Sequence, residues 1–117
     1  MQIEPWVILT DRIGRDTRSP LELKVDEAIH DLRVHQNDVE HRSISLRRGY
    51  DVGPVALIEL FADGSVEYSV YEDADLENKK FTLRGRSLGI MDISRRFYYL
   101  FEGNLSALDI CQWHEKE

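Results

Sequence analysis

The sequence predicts an α+β fold: a mainly antiparallel sheet of about five to six strands with two helices packed on one face. Three observations carry this. Residues 55–71 read as two alternating strands around the turn Ala62-Asp63-Gly64. Two other segments, near residues 20–35 and 92–102, repeat apolar residues at helical spacing. The strands follow one another locally, so they pair antiparallel, and each helix must bury its apolar stripe against the sheet.

The elements follow in order. Residues 5–10 form a short apolar run with β-branched Val7 and Ile8, a strand expected to be buried on both sides. Residues 11–18 are a polar loop with Gly14 and the arginines Arg12, Arg15 and Arg18. The first helix opens with Ser19 as N-cap, Pro20 as its first helical residue and Glu22 closing a capping box. Leu21, Val25, Ala28, Ile29 and Leu32 make its apolar stripe, and it ends near His35. Its outer surface pairs Glu22 with Asp26 and Glu27 with Asp31, like charges one turn apart that cost roughly 0.2–0.5 kcal/mol each. Leu23 points outward among these acids.

Residues 36–41 are polar loop, and residues 42–48 alternate, with Ile44 and Leu46 against Ser43, Ser45 and Arg47. Residues 49–54 form a loop before the hairpin. Residues 72–80 are highly charged, 81–84 are a short strand and 85–89 a turn. The second helix starts at Asp92 as N-cap and buries Ile93, Phe97, Leu100 and Phe101, with Gly103 ending it in the left-handed conformation. Residues 105–113 read as a last strand with Leu108 and Ile110 on one face, followed by a charged tail. Residues 1–117 form a single domain without repeat or linker.

The hairpin register can be argued. A two-residue turn at Asp63-Gly64 would place Glu59 among apolar residues. A three-residue loop with Gly64 in the left-handed position gives one face of Ala56, Ile58, Leu60, Val66, Tyr68 and Val70. That uninterrupted apolar face is taken as the core face. The opposite face then carries Leu57, Glu59, Phe61, Ser65, Glu67, Ser69 and Tyr71, with Glu59 directly across from Glu67. Like charges in such a pair cost roughly 0.2–1 kcal/mol. Arg47, Arg48 or solvent would offset it, and so would a basic partner.

The net charge of -7 argues against nucleic-acid binding through a basic footprint. It suits a basic protein partner. One cysteine, Cys111, excludes an internal disulfide and fits a reducing compartment, and the apolar run 6–9 is too short for a signal or a membrane span. A cytoplasmic protein without membrane attachment is expected. Cys111 falls in an expected strand and reads as a structural thiol, while His30, His35, His41 and His114 lack the spacing that puts two ligands on one helical face. Asp73, Asp75 and Glu77 alternate like the opening of a calcium loop, but Asn78 stands where that loop needs glycine. No catalytic residue, metal ligand or cofactor is expected.

Several features coincide along the chain. Ser19-Pro20 opens a helix ending near Asp31-Leu32, and the alternating strand Ile44-Ser45-Leu46 follows. An Asp63-Gly64 hairpin has Tyr68 in its return strand, and Phe101-x-Gly103 precedes Trp113. In this layout the chain resembles the small immunity proteins of bacterial polymorphic toxin and contact-dependent growth inhibition systems. The resemblance implies a cognate toxin domain, often a nuclease and so basic, that this protein binds and neutralises. It carries over no catalytic residues. The acids expected to meet the toxin's Lys and Arg are Glu59, Glu67, Asp73, Asp75 and Glu77, with Phe61 and Tyr71 as apolar anchors. Two competing readings stand beside it: a small enzyme or ligand-binding domain using Glu59 and Glu67, and a structural or regulatory homodimer joined through a sheet edge.

Overall fold

The computed structural model describes residues 4–37, 43–73, 75–86 and 89–116. The strands are β1 (Trp6–Thr10), β2 (Asp16–Arg18), β3 (Ser43–Gly49), β4 (Val55–Phe61), β5 (Val66–Tyr71), β6 (Lys79–Gly85) and β7 (Glu115–Lys116). The helices are α1 (Glu22–Val34), α2 (Ile90–Glu102) and α3 (Leu105–Ile110). The strands form one seven-stranded sheet in the order β2-β1-β3-β4-β5-β6-β7, and every pairing is antiparallel. With α1 and α2 packed against it, this is the α+β architecture expected, with short edge strands added at both ends.

The hairpin adopts the three-residue loop. Phe61 N–H donates to Ser65 O at 2.9 Å, Gly64 N–H donates to Phe61 O at 3.0 Å, and Gly64 sits at φ 88°. Leu60 therefore pairs with Val66 and Ile58 with Tyr68. Ala56, Ile58, Leu60, Val66 and Tyr68 are all buried on the helix-covered face. Leu9, Ile44 and Leu46 extend that face through β1 and β3, and Val25, Ile29 and Leu32 of α1 and Ile93, Phe97 and Leu100 of α2 complete the core. Tyr68 meets Phe81 edge-on with ring centroids 5.7 Å apart and lies 6.0 Å from Trp113.

Several local expectations are corrected. Ser19 does not cap α1. Its N–H donates to Val7 O at 2.8 Å and its φ is 49°, so it ends the β2 pairing instead. Leu21 is the N-cap without a side-chain bond, and at 77% exposure it drops off the apolar stripe. α2 begins at Ile90 with Gly89 as N-cap, leaving Asp92 in the first turn, where a carboxylate favours the helix dipole. Gly103 ends α2 as expected, at φ 80°. Arg48 Nη1 donates to Phe101 O at 2.8 Å beside it.

The segment 11–18 is not all loop. Asp11 Oδ1 accepts from Ile13 and Arg15 N–H groups, Gly14 takes φ 84°, and the chain returns as β2 against β1. β1 itself is not buried on both sides: Leu9 is fully buried, and its neighbours are half-buried. The expected strand at 105–113 is α3 followed by a turn into β7. Asn104 Oδ1 caps α3 by accepting from Ala107 N–H at 3.3 Å. Leu105 and Leu108 lie three apart and face the core, while Ile110 is 85% exposed. The loop read at 36–41 and the turn read at 85–89 lie partly outside the described residues.

Arg96 ties the C-terminal segment to α2. It is buried, its guanidinium lies 4.4 Å from the Trp113 ring centroid, and Nη2 donates to Gln112 O at 3.0 Å. Trp113 Nε1 in turn donates to Leu108 O at 2.9 Å. This places β7 against β6 and extends the sheet by its last strand.

Candidate functional site

Both main helices pack on one face of the sheet, and among the described residues no helix covers the other. The strand pleat assigns the uncovered face its side chains. A central row runs across the strands through Thr10, Ser45, Glu59, Glu67, Arg84 and Glu115. A second row runs through Ile8, Arg47, Leu57, Ser69 and Thr82. A third joins Trp6, Gly49, Val55 and Tyr71. Phe61 stands opposite Ser43 at one end of β4.

Val55 is fully buried, and the other apolar members of this face are half-buried, as expected of large side chains that no helix among the described residues covers. Trp6, Ile8, Leu57, Phe61 and Tyr71 all have this intermediate exposure. Gly49 makes the Trp6 position possible: a Cβ there would stand 3.1 Å from the indole ring and 2.9 Å from Val55 Cγ2. Ser69 and Thr82 are buried and bond each other at 2.8 Å, so the second row carries no unsatisfied hydroxyl at that point.

Four of the sequence-predicted residues come together here. Glu59, Phe61, Glu67 and Tyr71 share the face on adjacent strands, and Glu59 stands directly across from Glu67. Because Phe61 bonds Ser65, alternation of the ladder makes Glu59/Glu67 a hydrogen-bonded pair, with Cα atoms about 5.5 Å apart. Asp73, Asp75 and Glu77 do not join them. They lie in the β5–β6 loop, and Tyr71, which borders that loop, is already roughly 13 Å along the strand from Glu67. All three are exposed, and Asp75 Oδ1 is spent on the loop itself, accepting from Glu77 N–H at 3.1 Å.

The counter-charge for the Glu59/Glu67 pair is Arg84, not Arg47 or Arg48. Arg84 Nε lies 2.7 Å from Glu67 Oε1, and its Nη1 is 3.7 Å from Glu115 Oε2. Arg47 leans the other way, 3.7 Å from Asp16, and its buried Nε has no partner. Arg48 projects to the helical face. The Glu59 carboxylate has no ion pair or hydrogen bond among the described residues. The sequence reading placed Leu57 on this face and Arg47 beside it, and missed Trp6, Ile8 and Arg84. Only the pairing of β1 and β6 into the sheet reveals these three.

Charge on this face is balanced. Its strands present four cations, Arg18, Arg47, Lys79 and Arg84, and four anions, Asp16, Glu59, Glu67 and Glu115. The acidity of the chain sits elsewhere, notably in Glu72, Asp73, Asp75 and Glu77 of the β5–β6 loop at its rim.

Candidates for chemistry are scattered. A shallow depression of about 390 Å³ beside Glu67 is lined by Asp63, Ser65, Glu67, Arg84 and Arg86, and Glu59 does not line it. Two hydrogen bonds from Ser65 hold the Asp63 carboxyl below its usual range. Cys111 is the C-cap of α3 rather than a strand residue, and its Sγ lies 3.2 Å from Ala107 O. No group of three His, Cys, Asp or Glu side chains among the described residues could hold a metal ion. Comparison with family models, with curated proteins and with solved structures found no match for this chain.

Proposed function

We propose that this protein is a binding module that neutralises a basic protein partner, as the immunity-protein resemblance implies, and that it has no catalytic activity of its own. The observation that carries the reading is the uncovered sheet face. It interleaves half-exposed Trp6, Ile8, Leu57, Phe61 and Tyr71 with paired charges. Aromatic and arginine side chains with a charged surround make the composition of a non-obligate protein interface. The acidic β5–β6 loop at the rim steers a basic partner toward it.

The enzyme reading needs both carboxylates in one cleft, and the depression beside Glu67 excludes Glu59. The edge-paired homodimer has little to pair with: β2 is three residues long and β7 two, and both carry charges.

The test is co-expression with the product of the gene immediately upstream, followed by calorimetry on the purified pair. Nanomolar binding of a basic domain with loss of its toxicity would support the reading. An upstream product that neither binds nor is neutralised would overturn it.

A further inference from the structure

The open face is balanced in number of charges but not in pairing, and among the described residues the carboxylate of Glu59 has no cation. Glu59, Glu67 and Glu115 are three carboxylates, and the guanidiniums beside them are those of Arg84 and Arg86. Arg84 reaches both Glu67 and Glu115, and Arg86 also pairs with Glu115. Glu59 is left over. It lies on β4, the middle strand of the seven, between Leu57 and Phe61 on the same face. It is half-buried, and a second carboxylate stands directly across from it. Arg47, the nearest cation by register on β3, is displaced one pair along and leans to Asp16.

We propose that the partner supplies the missing cation: a single arginine or lysine side chain seated on Glu59 at the centre of the open face. This rests on the binding role proposed above and narrows it to one contact. A guanidinium suits the position best, because it donates to the carboxylate while its plane lies against the Phe61 ring. The site is central, and Leu57 and Phe61 flank Glu59 along β4 and exclude water on docking, where a charge pair contributes most to binding. Glu67 is not equivalent. Its charge is already met by Arg84, so a partner gains less there.

A random dodecapeptide display library tests this without the natural partner. The library is first depleted on protein carrying Leu57→Asp and Phe61→Asp, then selected on the wild-type chain, so that retained peptides require the open face. The retained peptides are expected to share one Arg or Lys beside an apolar residue. Their affinity should fall about tenfold or more on Glu59→Gln, and stay within about threefold on the triple variant Asp73→Asn, Asp75→Asn, Glu77→Gln. Glu59→Arg should bind again when the peptide's basic residue is replaced by Glu. Thermal melts show that each variant is folded. Peptides that need the open face but carry no shared basic residue, or bind Glu59→Gln as tightly as wild type, overturn the cation proposal alone. A depleted library that yields no peptide would instead tell against the open face as a binding surface.

Discussion

The two faces of the sheet are built from the same strands and do opposite work. On the covered face, Ile58, Leu60, Val66 and Tyr68 meet α1 and α2 and are essentially inaccessible. On the open face, Leu57, Phe61 and Tyr71 alternate with them along β4 and β5 yet keep part of their surface in water. One residue of offset separates the two sets. The difference teaches where energy is committed: the covered face stabilises the fold, while the open face keeps apolar area and, among the described residues, one unpaired carboxylate, which the proposed binding role would use.

If that division is right, matched substitutions separate stability from binding. Ile58→Ala should lower unfolding stability by about 2–5 kcal/mol, because it removes a fully buried side chain and leaves a cavity. Leu57→Ala, one residue away, should cost well under half as much, since part of that surface is already hydrated. Urea titration of both variants checks the contrast, and equal losses would break it.

Gly103→Ala sharpens the covered side. The residue takes φ 80°, and an added Cβ would come within 2.6 Å of the Arg48 guanidinium that meets the last turn of α2. A loss of roughly 1–3 kcal/mol is expected, read from the shift in the urea midpoint.

A pH titration probes the same core. Burial, with a smaller push from Asp109, raises the Tyr68 hydroxyl to about 12 from the ordinary value of 10.0. The unfolded chain therefore gives up this proton first. The stability contributed by the neutral phenol is present below pH 10 and falls as pH rises toward 12. Tyr68→Phe should flatten that alkaline decline in melts taken between these pH values, whereas an unchanged slope would place the effect elsewhere.

The smallest expected effect lies on the open face. Glu59→Gln removes a like charge across from Glu67 and should raise stability by roughly 0.2–1 kcal/mol while it weakens binding. A variant more stable yet less able to bind is what a residue kept for a partner would give.

The sequence makes the hairpin legible because one register alone gives β4 and β5 a continuous apolar face, and Gly64 supplies the turn. The covered half of the fold follows from it. Residues 105–113 mislead because Leu108 and Ile110 mimic alternation, while the Asn104 cap that starts α3 shows only in its bond to Ala107. Ser19-Pro20 mimics a helix start, yet the long-range bond to Val7 takes Ser19 for the sheet. The candidate face was half legible. Glu59, Phe61, Glu67 and Tyr71 belong to one hairpin, so local pattern finds them. Trp6, Ile8 and Arg84 reach the face through strand pairings that local alternation does not specify, and the loop acids only border it.

The central claim is that the open face is the binding face, and one comparison tests it most directly. Calorimetry with the basic partner proposed above would measure Phe61→Ala/Glu59→Gln on the open face against Leu23→Ser/Met91→Ser on the exposed surface of α1 and α2. The account predicts that the open-face pair loses about a hundredfold in affinity, or more, with an unchanged fold, and that the helix-surface pair binds like wild type. Full affinity in the open-face variant, with loss in the helix-surface variant, would contradict it.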